Sequence, residues 1–371
     1  MRAWSKNHMP GPRTDEYIPQ LDVPLHQFPS GHVVYLYHAL GKGYFRENGL
    51  MPVFSRLHHS PRVVEAVARN LFKIGTAQTA SVLWAASEYV AEGGKPGDFP
   101  VKIIYQADQN FSSAFYSLAD SYRAKLGLAL FGKDLTTLDD LIGKTVQTGG
   151  GWPHISARVA LTRHGFAERI NPSVELNGFQ ADKINVSHIE EYDVKTYSSL
   201  LLSGRLDAYA KPLFGHGQFR GRALSTNPDL KYSAISMRDL GAPSTYGIAV
   251  IARRDFVEAY PEMVRGFVRA LDRAMPQCIQ DPSFGVGIMN RLRGFGPEYD
   301  AIEGIKADIC VGRHPEITGP GGFFGGVDAE KYGYGIIRRE RLEEMIALLK
   351  ETNALRAPLR PDDILMNWDW R

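Results

Sequence analysis

The sequence predicts an α/β fold, and two observations carry that prediction. Short apolar runs of strand length recur along the chain, and between them lie segments whose apolar residues return at helical spacing. This alternation is typical of domains in which helices cover mostly parallel sheets. Residues 1–19 are polar and contain several prolines, so we expect a tail before the first strand.

The predicted elements follow one another in a regular order. Strands are expected at residues 21–25, 51–54, 72–75, 101–105, 144–147, 206–210 and 245–251. Helices are expected over 33–40, 61–68, 78–90, 198–202, 261–275 and 339–349, with another that follows Gly151 and ends at Arg163. Pro61 and Pro261 suit the first turn of a helix, where a backbone N–H would have no partner inside the helix.

Composition excludes several classes of protein. The chain has 371 residues, of which 44% are hydrophobic and 23% charged, which is enough for a sizeable core. The formal net charge is +2 with both signs interspersed, so we predict no nucleic-acid partner and no polybasic membrane segment. No apolar run is long enough for a transmembrane segment. The two cysteines, Cys278 and Cys310, match no zinc or redox spacing, and a disulfide between them stays open.

The sequence carries none of the common catalytic or metal-binding patterns. It has no paired-histidine zinc motif, nucleophile elbow, P-loop or dinucleotide fingerprint. We therefore predict no metal, no cofactor and no catalytic residue. The first residues also lack the apolar stretch of a secretory signal. The protein is expected to be periplasmic or otherwise extracytoplasmic if a signal peptide was removed, and cytoplasmic if it was not.

Five segments together resemble one family of proteins. They are Ala39 to Leu50 (ALGKGYFRENGL), Lys73 to Ala77 (KIGTA), Leu138 to Val146 (LDDLIGKTV), Leu202 to Ala208 (LSGRLDA) and Asp255 to Phe267 (DFVEAYPEMVRGF). In this order they are similar to segments of the substrate-binding proteins of nitrate, taurine, alkanesulfonate and thiamine-pyrimidine-precursor ABC transporters. Lys73 departs from the pattern, because an aspartate is common there.

The resemblance implies an α/β, two-lobed type II periplasmic-binding-protein-like fold with two crossover strands. Lobe one would comprise residues 20–112 plus 246–371, and lobe two residues 113–245, after the tail of residues 1–19. The crossovers would lie near 110–117 and 243–248. A small-molecule ligand would bind between the lobes, at the ends of strands and the starts of helices, for delivery to an ABC permease.

Candidate ligand contacts in lobe one follow the first and third predicted strands. They are Ser30, Gly31 and His32 in one loop, and Thr76, Ala77 and Gln78 in the other. Ligands of open α/β sheets bind at such strand ends. Helix capping alone is the alternative for both loops.

Further candidates lie in lobe two and at the crossovers. Gly150 and Gly151 precede a helix whose positive end favours an anion, and Trp152 and His154 could stack on and hydrogen-bond a ligand. A plain turn, with Trp152 covering the core, is the alternative. Asn110, Phe111, Lys211 and Tyr246 complete the set. For Lys211, a solvated surface position is the alternative. This mixture of residues suits a small polar or anionic organic ligand, such as an aromatic carboxylate or sulfonate.

Two classes of function share the fold that the resemblance implies. One is a substrate-binding protein for ABC-type import, and the other is a cytosolic enzyme, such as a desulfinase-like or thiamine-pyrimidine-synthase-like protein. The desulfinases need a cysteine in the loop that here reads Gln27 to Ser30. The synthases carry a lysine and a histidine where this chain has Thr76 to Thr79. The sequence therefore favours the binding protein.

Overall fold

Two mixed β-sheets with helices packed against them form the framework of the protein. The computed structural model describes residues 20–26, 31–57, 59–109, 113–148, 152–187, 199–212, 231–237, 240–242, 245–293 and 327–366. The strands in these residues are β1 Gln20–Leu25, β2 Met51–Arg56, β3 Ile74–Gln78, β4 Val101–Gln106, β5 Ser113–Leu118, β6 Thr145–Thr148, β7 Ile170–Asn171, β8 Ile184–Ser187, β9 Ala208–Pro212, β10 Tyr232–Ser236 and β11 Ile248–Arg253.

The helices lie mainly between the strands and after β11. They are α1 Val34–Gly41, α2 Tyr44–Glu47, α3 Ser60–Ala68, α4 Thr79–Ala91, α5 Asp120–Lys125, α6 Trp152–Arg163, α7 Val174–Asn177, α8 Arg254–Ala259, α9 Pro261–Gln280, α10 Pro282–Arg293, α11 Val327–Tyr332 and α12 Arg339–Glu351. Short 3-10 turns cover Gly31–Val33, Asp139–Leu141, Ala167–Arg169 and Pro361–Asp363, and residues 199–202 are also helical.

The two sheets divide the chain in a discontinuous way. The first has the strand order β2-β1-β3-β11-β4, and the second has the order β10-β5-β9-β6-β8-β7. The chain therefore passes from the first sheet to the second between β4 and β5, and returns between β10 and β11. This is the two-lobed, doubly connected arrangement that the sequence predicts.

Both faces of the first sheet are covered. In β11, Ala249 and Ile251 belong to one apolar cluster, whereas Val250 and Ala252 belong to the other. All four side chains are buried, as expected when successive residues of a strand point to opposite faces. A strand buried on both faces reads as a continuous apolar run, which is why the sequence predicts it readily.

The structure corrects one prediction about the strands. The sheets are mostly parallel, as predicted, and each contains one opposed strand: β11 runs antiparallel to β3 and β4, and β5 runs antiparallel to β9 and β10. The third strand covers Ile74–Gln78 and not residues 72–75, because its pairing with β11 extends as far as Gln78. Thr76 and Ala77 thus lie inside a strand rather than in the loop after it.

Asp207 illustrates how the second sheet is fixed. Its Oδ2 accepts a hydrogen bond from the backbone N–H of Thr145 at 2.9 Å, and its Oδ1 lies 3.5 Å from a guanidinium nitrogen of the buried Arg123. The carboxylate therefore joins the start of β6 to the turn before β9.

Candidate functional site

The ends of several strands of the first sheet meet at one edge. Strands β1 and β3 run parallel, and β11, which lies between β3 and β4, runs antiparallel to both of these neighbours. The carboxyl ends of β1, β3 and β4 therefore lie beside the start of β11. His26, Gln78 and Asp108 are found at or just after these ends, and the two passages between the sheets begin nearby.

A buried His–Asp pair joins two of these strand ends. His32 lies in the 3-10 turn before α1, and its Nδ1 is 2.5 Å from Oδ2 of Asp108, which follows β4. Both side chains are fully buried. Asp108 Oδ2 also accepts the backbone N–H of Ile248 at 3.1 Å. The Ile248 hydrogen bond and the close His32 ring at the same oxygen together orient this carboxylate.

A second buried pair lies at the ends of β1 and β3. Thr76 Oγ1 accepts the backbone N–H of His26 at 3.2 Å and lies 3.1 Å from the ring Nδ1 of the same residue. Burial, together with the smaller effect of the nearby His32, lowers the pKa of His26 to about 3. The His26 ring is therefore neutral at physiological pH, with one nitrogen that donates and one that accepts.

Buried hydrogen bonds hold the supporting strands rigidly. The amide Nε2 of Gln106 donates to the carbonyls of Asp108 and Ile248, at 3.1 and 3.0 Å. Its Oε1 accepts from the hydroxyl of Thr79, the first residue of α4, at 2.9 Å. The helix α4, the end of β4 and the start of β11 are thus tied together directly behind Asp108.

Several buried polar atoms at this edge and at the passages between the sheets have no hydrogen-bond partner in the described part of the chain. They include His26 Nε2, Asp108 Oδ1, Gln109 Oε1, Ser113 Oγ and Thr245 Oγ1. Burying such an atom without a partner costs about 1–3 kcal/mol, so native proteins rarely retain several of them together. A polar ligand that bound here would supply the missing partners.

The segment before α12 is hydrogen-bonded to this region. Gly335 accepts the backbone N–H of Gln106, Ile336 accepts an amide hydrogen of Gln109, and Arg338 donates its N–H to the hydroxyl of Tyr246 at 2.6 Å. We call residues 335–338 the strap. It binds both passages between the sheets, because Gln109 lies between β4 and β5 and Tyr246 lies between β10 and β11.

Some of the residues that the sequence nominates meet at this edge. Gly31 and His32 are buried in the 3-10 turn, and Thr76 and Ala77 are buried in β3. Gln78 ends β3, where its backbone N–H binds the hydroxyl of Ser60 at 2.9 Å, and it precedes α4 without a side-chain cap.

The other nominated residues divide into two groups. Tyr246 is buried, with its hydroxyl on the strap and the guanidinium of Arg341 4.7 Å from its ring centroid. Trp152 and His154 lie in the first turn of α6, and Lys211 lies in β9. Ser30, Asn110, Phe111, Gly150 and Gly151 lie outside the described residues. The ligand-binding role of the whole set stays a prediction.

Sequence reasoning missed two residues of this edge, His26 and Asp108. Neither belongs to a recognisable motif, and an aspartate after a strand is far more often exposed than buried. One signal was available: both follow apolar strands whose ends must meet at the same edge of a parallel arrangement.

No group of three or more His, Cys, Asp or Glu side chains in the described residues is arranged to hold a metal ion. Within the same ranges, no helix has the length and apolar character needed to cross a membrane.

Solved structures define the class of this fold. The periplasmic aliphatic sulphonate binding protein SsuA of Escherichia coli is 13% identical, with a TM-score of 0.57 over 93% of this chain and 97% of the other. The alkanesulfonate-binding protein SsuA of Xanthomonas axonopodis pv. citri, solved with MOPS, is 14% identical, with a TM-score of 0.53 over 94% and 99%. The fold is thus that of the two-lobed periplasmic substrate-binding proteins.

The chain belongs to the NMT1/THI5-like family, whose model matches residues 31–284. A curated relative is the formylaminopyrimidine-binding protein of Halalkalibacterium halodurans, 23% identical over 360 residues, which represent 94% of this chain and 90% of the relative. The chain thus belongs to this family and has the fold of these binding proteins.

Proposed function

We propose that this protein is the ligand-capturing component of an ABC-type import system and that its two lobes close on one small polar organic ligand. The observation that carries the proposal is the group of buried polar atoms without partners where the strand ends meet the passages between the sheets. Lobe one would comprise residues 20–112 with 246–371, and lobe two residues 113–245. An ABC permease would be the partner, and the site of action would be extracytoplasmic.

The buried oxygen atoms that lack a hydrogen-bond donor among the described residues restrict the chemistry of the ligand. Asp108 Oδ1 and Gln109 Oε1 are acceptors only, and both lack a donor in the described part of the chain. An aromatic carboxylate or sulfonate, which the sequence favours, brings acceptors and negative charge but no donor. A planar heterocycle with an amino group would satisfy these oxygens, and the curated relative is named for binding a formylaminopyrimidine. We therefore place an amino-bearing heterocycle ahead of an aromatic anion.

The enzyme alternative has less support. The matching proteins described above are named for binding, and the resemblance to desulfinases or pyrimidine synthases does not extend to their reactive residues at Gln27 to Ser30 and Thr76 to Thr79. A binding protein needs only the oriented donors and acceptors of the strand ends.

Calorimetry against a small panel tests this proposal. The panel contains a formylaminopyrimidine, 4-aminopyrimidine, benzoate, benzenesulfonate, taurine and nitrate. We expect micromolar binding, about −8 kcal/mol, of an aminopyrimidine. Asp108→Asn should weaken this binding about ten-fold or more, because a neutral amide is a weaker acceptor for the ligand's amino group than a carboxylate. Asp22→Asn is the control, because Asp22 is exposed on β1 of the same sheet.

Two results would contradict the proposal in different ways. Tight binding of benzoate or benzenesulfonate with silence from both pyrimidines would restore the aromatic anion as ligand. Absence of binding to every member of the panel, with turnover of an aromatic sulfinate, would favour the enzyme instead.

A further inference from the structure

His26 is a buried titratable residue of this edge, and among the residues that the structure describes only one of its two ring nitrogens has a contact that explains its burial. The residue is 5% exposed, and Nε2 has no hydrogen-bond partner in the described ranges. Its other nitrogen, Nδ1, faces the hydroxyl of Thr76 at 3.1 Å. The ring is thus held at Nδ1, whereas Nε2 lacks a hydrogen bond in the described part of the chain.

The hydrogens of the His26–Thr76 pair determine which nitrogen carries the ring proton. Thr76 Oγ1 already accepts the backbone N–H of His26. The described residues offer its hydroxyl hydrogen no acceptor other than His26 Nδ1. If Nδ1 carried the proton, the hydroxyl would accept twice and its own hydrogen would be buried without an acceptor, which costs about 1–3 kcal/mol. The arrangement that uses every hydrogen has Thr76 donating to Nδ1 and the proton on Nε2.

We propose that His26 is a specificity-determining ligand contact, with Thr76 fixing its ring as the Nε2–H tautomer so that this buried N–H donates to an acceptor atom of the ligand. The inference rests on the proposed function, because the ligand is the group that binds at this edge. His26 supplies the donor and Asp108 Oδ1 supplies an acceptor, so the site selects ligands that present both an acceptor and a donor. A ring nitrogen or carbonyl beside an amino group has this pattern.

The neutral state of His26 matters for that selection. A protonated ring would donate from both nitrogens and would attract anions, whereas a neutral ring contributes one directed hydrogen bond without net charge. The titratable group beside it is His32, which is itself held by Asp108. The neutral His26 ring therefore brings no positive charge that would favour an anion over a neutral ligand.

Nitrogen NMR of the full-length protein labelled at histidine tests the tautomer directly. We expect His26, identified by the signal lost in His26→Gln, to be a neutral Nε2–H ring at pH 7 in the wild type. In Thr76→Val, which removes the hydroxyl at nearly constant shape, the signal should move towards a mixture of tautomers. An imidazolium ring or an Nδ1–H ring in the wild type at pH 7 would overturn the inference whether or not any variant binds ligand.

Binding measurements with a formylaminopyrimidine as the probe test the contact itself. His26→Leu removes the donor and should weaken binding about ten-fold or more, whereas His26→Gln, whose amide can donate from a similar position, should stay within about three-fold. His38→Leu is the matched control, because His38 is also a buried histidine but contacts Phe284 on the far side of α1. Thermal melting shows that each variant is folded.

The outcomes separate this inference from the proposed function. Wild-type protein that binds the probe, with the affinity unchanged in a folded His26→Leu, would contradict the inference alone. Wild-type protein that binds no member of the panel would contradict the proposed function, and the ligand contact would fail with it.

Discussion

At the scale of single residues, four buried polar side chains determine what the edge of the first sheet can do. His32 and Asp108 form one pair, and His26 and Thr76 form the other. Each pair joins residues that are distant in sequence, and each leaves one polar atom, Asp108 Oδ1 or His26 Nε2, without a partner in the described residues. In the proposed site, the hydrogen-bonded atoms of each pair would orient the atom that meets the ligand.

The low pKa of His26 predicts how stability depends on pH. The folded protein keeps this ring neutral down to about pH 3, whereas the unfolded chain binds a proton near pH 6.5. The contribution of the neutral His26 ring to the free energy of unfolding is therefore fully present above about pH 6.5 and is lost as the pH falls towards 3. The slope from this one group approaches about 1.4 kcal/mol per pH unit.

Urea denaturation at several pH values between 7 and 4 measures this slope. We expect the decrease in unfolding free energy on acidification to be smaller in His26→Gln by about the slope of one group. His164→Gln, at an exposed histidine, should retain the wild-type dependence. An unchanged slope in His26→Gln would mean that the ring is already protonated in the folded protein or is hydrated.

At the scale of elements, the strap holds the end of β4 and the two passages by hydrogen bonds. Gly335 has a φ of +75°, and a Cβ atom at this position would lie far inside van der Waals contact with the ring of Tyr105. The backbone of the strap can approach β4 closely enough to accept the N–H of Gln106 only because residue 335 has no side chain. Only glycine meets both conditions here.

Substitution of Gly335 tests the role of this close approach. Gly335→Ala should destabilise the protein by about 1–2 kcal/mol for the positive φ and about 1–3 kcal/mol more for the overlap with Tyr105. Gly165→Ala is the matched control, because Gly165 also has a φ of +75° but nothing lies within 4 Å of its added Cβ. Chemical denaturation measures both, and equal losses would show that the strap yields without cost.

At the scale of the whole molecule, the proposed closure would move the two sheets relative to each other about the passages that join them. An ion pair links α6, which packs on the second sheet, to α12: a guanidinium nitrogen of Arg163 lies 3.4 Å from Glu351. Both side chains are more than 40% exposed, at 42% and 44%. Such a pair contributes only about 0–1 kcal/mol to holding α6 and α12 together.

Ligand-induced closure is the corresponding prediction. Small-angle scattering should show a smaller radius of gyration when the aminopyrimidine that binds best is added, and the unfolding free energy should rise by about 2.7 kcal/mol at 100 times the Kd. Glu351→Gln should change neither result appreciably, since the pair is exposed. A radius of gyration that stays constant at saturating ligand would show that the lobes do not close.

Much of the framework was predictable because it depends on local pattern. Apolar runs at the positions of β1, β2, β4 and β11 and the helical spacing in α3, α9 and α12 gave these elements within a few residues. The five family segments then predicted two lobes. The strand β5, Ser113–Leu118, was missed because it mixes serines with apolar residues, and its burial depends on β9 and β10, which come much later in the chain.

The sequence by itself determined the α/β class and the family, since periodicity and short motifs are properties of neighbouring residues. The tertiary structure alone decided which polar side chains meet. Thr76 reaches His26 across 50 positions of the chain, and Ile248 reaches Asp108 across 140. Burial and hydrogen bonding between such distant residues depend on how β11 returns between β3 and β4, and no local pattern encodes that return.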